Sequence, residues 1–187
     1  MNIQAHRAEA ADWAAIERVC GETGLAGSPV DEDERATFVA HWLTPYRELR
    51  PDWTFVAECD RKVVGYLTGA PDTLSFEKER RRVFDPGPDS REFFPEAVRR
   101  KLWIEHPAHL IMNVLPDYRG MGVGTRLLEA YFIQLRRAGV TAVHVFCGPG
   151  ADLVFEKLGF SETASVTPIP GVTLRALTRL VPPANQP

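Results

Sequence analysis

The chain has 187 residues, 44 % of them hydrophobic and 25 % charged, enough to bury one sizeable core. A formal net charge of -3 gives no electrostatic case for wrapping nucleic acid or lying on an anionic membrane. Cys20, Cys59 and Cys147 are odd in number and form no CxxC pair, so neither a disulfide framework nor a metal site is expected, and a reducing, cytoplasmic setting fits them. No run reaches the roughly 18 apolar residues of a membrane span. A first strand is expected over Ile3 to His6. Asp12 then stands as N-cap of a helix whose Trp13, Ile16, Val19 and Cys20 recur at helical spacing. A second helix is expected from about Glu32 to Leu43, with Phe38, Trp42 and Leu43 inward, stopping before Pro45. Its opening acids, Asp31 to Glu34, complement a helix dipole and equally suit attraction of a cationic amine.

Trp53 to Cys59 and Lys62 to Gly69 read as a hairpin joined by Asp60 and Arg61. From Pro71 to His106 the pattern weakens into charged helices around a Pro/Gly break at Asp85 to Pro88, read as a charged helical insertion on the surface. Ala108 to Leu115 is the next strand. A long helix follows from about Gly122 to Arg137, with Leu127, Leu128, Tyr131, Phe132 and Leu135 on one side. Val140 to Cys147 is almost continuously apolar, as in a strand buried on both faces, so strand, helix and strand make a right-handed βαβ unit. A short helix from Ala151 to Leu158 and two closing strands complete an α/β chain. One domain over residues 1–181 is expected, with a frayed tail from Pro182 to Pro187.

Gly120, Gly122 and Gly124 sit where the long helix starts. Glycines at a strand-to-helix turn let backbone N–H groups approach an anion closely, and the first helical turn adds unpaired donors. A dinucleotide fingerprint needs glycine at Thr125 or Leu127, and a P-loop needs a lysine; neither is present. Arg119-Gly120-Met121-Gly122-Val123-Gly124 instead fits [QR]xxGx[GA].

That run, set in "NVLPDYRGMGVGTRLLEA", resembles the acetyl-CoA motif of the GNAT superfamily of N-acetyltransferases, and "FEKLGF", Phe155 to Phe160, resembles the family's last helix motif. The resemblance implies the GNAT fold: a mixed central sheet of about seven strands with a parallel βαβ core and flanking helices. It implies acetyl-CoA as co-substrate, with no metal, and an amine acceptor on a small molecule or peptide. The amides around Met121 to Thr125 would hold the pyrophosphate and the main chain of Val114 would face the pantetheine. Leu115, Arg119, Gly120, Gly122, Val123 and Gly124 complete the implied cofactor set. "VCGETG", "PYRELRPDWTFVAECDRKVVGYLTGAPDT" and "HPAHLIMNVLP" look like the acetyltransferase-like domains related to O-GlcNAc hydrolases, stand-alone bacterial versions included.

Transfer to an amine needs a neutral nitrogen. A lysine-like amine lies about 3.4 units from neutrality at pH 7, roughly 4.6 kcal/mol, against about 2 kcal/mol for release of a thiolate. A base therefore matters more than an acid. On the central strand His109 and Asn113 share one face and are the catalytic candidates; which face meets the cofactor is left open. Asn113 can orient water but cannot serve as a base. His144 reads as structural. Glu58 and Asp72 stand near the acceptor side or on the solvated surface. Lys78, Arg80, Arg81 and Arg82 suit a ribose phosphate or a solvated helix face, and Trp42, Tyr46 and Trp53 suit core or pocket wall. The tyrosine many relatives carry in the last helix, as acid to the leaving thiolate, is here Phe155, which slows turnover or leaves a catalytically silent acetyl-CoA binder.

Overall fold

The computed structural model describes residues 2–24, 28–84 and 90–184. Its strands are β1 Ile3–Arg7, β2 Thr54–Cys59, β3 Lys62–Ala70, β4 Ala108–Val114, β5 Ala142–Cys147, β6 Ser161–Ile169 and β7 Val172–Leu180. The helices are α1 Trp13–Thr23, α2 Glu32–Trp42, α3 Thr44–Leu49, α4 Thr73–Val83, α5 Glu96–Glu105, α6 Val123–Arg137 and α7 Ala151–Lys157. The strands form a seven-stranded mixed sheet in the order β1-β2-β3-β4-β5-β7-β6, with β4 and β5 parallel. This is the mixed α/β architecture expected, with helices α6 and α7 in the predicted places.

The chain divides into two compact units, residues 1–70 with 111–134, and 71–110 with 135–187. In the first, the β2–β3 turn is made by Asp60 (φ 49°) and Arg61 (φ 66°). Positive φ at both central residues gives the twist that a two-residue hairpin needs, so the predicted turn forms although neither residue is glycine. A register shift between Ala57 and Glu58 bends β2. Helix α1 buries Trp13, Ile16, Val19 and Cys20. Asp12 flanks that helix, yet its carboxylate accepts from the Glu9 amide at 2.8 Å and makes no cap on α1. Helix α2 ends at Trp42, with Phe38 and Trp42 only half-buried and Leu43 buried. The helix stops before Pro45, as expected, and Pro45 lies in the first turn of α3, where a missing N–H costs nothing. Tyr131 of α6 is fully buried, donates to the Ala70 carbonyl at 3.2 Å, and meets the rings of Trp53 and Phe55 edge-on at 5.9 and 6.0 Å.

The second unit corrects the reading of residues 71–106 as a surface insertion. Phe76, Phe94 and Leu102 are essentially inaccessible, and Phe94 and Leu102 share a core with Ala176, Phe146, Val166 and Leu174. Charge density hid this, because the apolar positions of α4 and α5 are few and each is fully used. Arg80 is corrected with them: it is 4 % exposed and paired with Glu77 at 2.9 Å, while Lys78, Arg81 and Arg82 are exposed. The expected break at Asp85 to Pro88 lies outside the described residues, as do positions 185–187 of the tail.

Candidate donor-binding turn and its surroundings

In the first unit β4 ends at Val114 and the chain turns through Pro116–Tyr118 before α6. Leu115 is tied to β3 by its amide on the Val64 carbonyl at 2.9 Å. Arg119 Nε donates to the Val114 carbonyl at 3.1 Å, bracing the turn across its base. That bond occupies one lone pair of the carbonyl implied to face pantetheine, leaving the second for another donor. Gly120 and Gly122 have φ of 74° and 82°, a region costly to side chains, and a Cβ at either would meet nothing within 4 Å. The glycines are thus required by conformation, and the space above them is open.

The first backbone bond of α6 runs from Arg126 N to Gly122 O at 3.1 Å, so the amides of Val123, Gly124 and Thr125 precede the ladder. They stand at the positive end of a 15-residue helix, while Val123, 1 % exposed, anchors that end in the core. Together with Arg119 these donors and this open space fit an anionic, phosphate-bearing group. Met121, 45 % exposed, is the apolar side chain at the rim.

Asn113 lies in the same unit. Its Nδ2 donates to the Tyr66 hydroxyl at 2.8 Å, which sets the amide so that Oδ1 faces away as an acceptor. Tyr66 is fully buried in β3 and bonded to Cys20; burial pushes its phenol well above the usual range and raises the Cys20 thiol to about 11. Both are therefore neutral at pH 7. The residues that orient Asn113 were not picked out in the sequence, since Tyr66 sits inside the unbroken apolar run of β3.

His109 lies in the second unit, 5 % exposed. Its Nδ1 is 2.8 Å from Thr73 Oγ1, whose single proton goes to the Pro107 carbonyl at 2.7 Å. The hydroxyl must then accept, so His109 carries its proton on Nδ1 and its lone pair on Nε2. Its ring packs against Phe76 at 5.2 Å and His144 at 6.0 Å. His144, read as structural, is 1 % exposed and donates from Nδ1 to the His106 carbonyl at 2.7 Å. Burial lowers it to about 3, so it is neutral. Phe155 is 6 % exposed and stacks edge-on with Phe160 at 5.3 Å. Asp72 caps α4 through the Ser75 amide at 3.1 Å, and Glu58 faces His6 at 3.9 Å, so each has a structural partner. Among the described residues no group of His, Cys, Asp and Glu is arranged to hold a metal ion.

A family model for the acetyltransferase (GNAT) domain matches residues 50–162, well over half of the chain. The chain belongs to the GNAT acetyltransferase family. Among solved structures, this GNAT chain is similar to SsHAT, with 26 % identity and a TM-score of 0.79 over 98 % of this chain and 100 % of that one. YncA of Salmonella typhimurium, a putative acetyltransferase solved with its cofactor acetyl-CoA, shares 19 % identity at a TM-score of 0.58, over 99 % and 97 % of the two chains. A polyamine N-acetyltransferase of Drosophila melanogaster that forms N-acetylagmatine shares 14 % at 0.63, over 96 % and 100 %. The last two likenesses are of fold.

Proposed function

We propose that the chain is an acetyl-CoA-dependent N-acetyltransferase that moves the acetyl group to a primary amine by direct transfer, without a covalent enzyme intermediate. The observation that carries this reading is the glycine turn into α6, with open space over Gly120 and Gly122 and three amides ahead of the helical ladder. Bound acetyl-CoA supplies an activated thioester. The amides from Met121 to Thr125 would hold its pyrophosphate, Gly120, Gly122 and Gly124 would admit it, and the main chain of Val114 and Leu115 would face the pantetheine, with Arg119 holding Val114 in place. Asn113, oriented by Tyr66, offers Oδ1 to the incoming amine or its water. His109 Nε2 is the candidate proton acceptor, its tautomer fixed by Thr73. The acceptor is a small-molecule or peptide amine, and the fold neighbours named for agmatine and polyamines support trying those amines first.

We further propose that the chain is related to the stand-alone bacterial relatives of the O-GlcNAc hydrolase acetyltransferase-like domain. One domain runs to about residue 181. The three cysteines are free and buried, which supports a reducing, cytoplasmic setting. One observation favours a second reading, a catalytically weak acetyl-CoA-binding module: Phe155 fills the acid position and is packed against Phe160.

Thiol release from acetyl-CoA is measured over agmatine, polyamines, glucosamine-type sugars and peptides, beside the melting temperature with acetyl-CoA. Release with an acceptor supports the transferase. Stabilisation without any acceptor supports the module. No binding at all sinks both. Gly122→Trp, where a Cβ meets nothing but φ is 82°, costs about 1–2 kcal/mol of backbone strain, stays folded and loses acetyl-CoA binding.

A further inference from the structure

The last four residues of β4, Ile111 to Val114, are only half-buried although β4 is the fourth of seven strands. Ile111 and Asn113 share a face, so the sheet keeps an opening over Asn113, the polar side chain given to the acceptor amine above. Asn113 is backed by Tyr66 and Tyr66 by Cys20, both neutral at pH 7. Among the described residues of the first unit no charged side chain is buried. The half-buried carboxylates there are engaged: Glu17 by Arg47 at 3.1 Å, Glu22 by Arg18 at 3.2 Å, Glu58 by His6 at 3.9 Å and Asp12 by the Glu9 amide at 2.8 Å. Asp31 to Glu34 stand exposed at the start of α2.

An amide, a neutral phenol and a neutral thiol cannot take a proton from an ammonium ion, and Phe155 has none to give to a leaving sulfur. A lysine-like amine stands about 3.4 units from neutrality at pH 7, so transfer to it calls for a base. An amine that is already uncharged calls for none. Its lone pair attacks the thioester carbonyl carbon, a C–N bond forms, and the C–S bond breaks with its electron pair passing to sulfur. The proton that the nitrogen sheds is the one that the sulfur gains, so amide and thiol form with no proton left over. Asn113 Oδ1 accepts from the amine N–H and holds the nitrogen while this happens.

We propose that the acceptor is a weakly basic amine, uncharged at neutral pH, such as an aromatic amine or a hydrazide. This rests on the reading of the chain as a transferase and narrows the acceptor of that same site. It ranks such amines above agmatine and polyamines, which hold their protons at pH 7, and it lowers the demand on His109 as proton acceptor.

4-Methylaniline and benzylamine are isomers of one size, and only benzylamine is protonated at pH 7. Thiol release from acetyl-CoA is measured with each, with benzohydrazide and with agmatine, after subtraction of the uncatalysed reaction and beside the melting temperature with acetyl-CoA. The expected kcat/KM for 4-methylaniline exceeds that for benzylamine by about tenfold or more, and benzohydrazide exceeds agmatine likewise. Asn113→Asp sets a carboxylate at the opening and shifts the preference about tenfold back towards benzylamine. The proposal is overturned, with the transferase reading intact, if benzylamine or agmatine is acetylated as fast as 4-methylaniline, or if a folded Asn113→Asp keeps the parent's preference. Stabilisation by acetyl-CoA without thiol release to any amine overturns it in favour of the binding module, and no stabilisation overturns both.

Discussion

Gly65 lies in β3 where a methyl group would stand 3.0 Å from the Asn113 carbonyl oxygen, 3.1 Å from Val123 Cγ1 and 3.2 Å from Val114 Cγ2. All three neighbours belong to the donor turn, and one is backbone, so none yields as a flexible side-chain tip does. Its φ is not in the left-handed region, so Gly65→Ala tests close approach alone. Overpacking of this kind costs about 1–3 kcal/mol. The stiffer unfolded chain returns about 0.4–1 kcal/mol. The expected net loss is about 1–2 kcal/mol, which for a chain of this size lowers the melting temperature by about 3–6 °C. Relief of the contact moves Asn113, Val114 and the first residue of α6, so acetyl-CoA affinity falls with stability. Urea melts followed by circular dichroism, beside acetyl-CoA titrations, read both effects. Gly171→Ala is the control: φ is 83° and a Cβ there meets nothing within 4 Å, so it costs about 1 kcal/mol of backbone strain and leaves affinity unchanged. The reasoning fails if Gly65→Ala is as stable as the parent and binds acetyl-CoA equally well.

Removing Glu77 takes away the carboxylate shared by Arg80 and Arg91 in a site that is almost closed to water, so Glu77→Ala lowers unfolding free energy by about 3–5 kcal/mol; a loss below about 1 kcal/mol in urea melts contradicts the burial argument. His144 titrates at about 3 when folded because burial penalises its charged form, against 6.5 unfolded. The unfolded chain therefore binds a proton that the native one excludes: the contribution is complete above pH 6.5, declines as pH falls towards 3, and has lost about 2 kcal/mol by pH 5. His144→Asn should flatten the stability profile between pH 7.5 and 5, and an unchanged slope refutes the assignment. Phe155→Tyr returns a hydroxyl to the proposed acid position and should raise kcat for thiol release by about tenfold with little change in KM for acetyl-CoA; no gain in kcat removes thiolate departure as the limiting step.

Much of the fold was legible because local rules acted without competition. The period of α6, the apolar run of β5 and the turn residues Asp60 and Arg61 each specify an element within a few neighbours, and so does the glycine turn, since positive φ at Gly120 and Gly122 is a local demand. Residues 71–106 misled because their surface charge is local while the burial of Phe76, Phe94 and Leu102 is not. Arg80 shows the same limit: the sequence supplies a cation, and only a carboxylate three residues earlier, enclosed with it, makes that cation a buried one.

The candidate catalytic residues divide along this line. Spacing alone put His109 and Asn113 on one face of β4. Which nitrogen of His109 keeps its proton was decided by Thr73, 36 residues away, and which way the Asn113 amide points was decided by Tyr66, 47 residues away. The sequence by itself determined the order of elements, the glycine turn and the family, because each rests on patterns read within a few residues. Tertiary structure decided tautomer, amide orientation and the charge carried by buried groups, because those depend on hydrogen bonds and desolvation that exist only once distant segments pack.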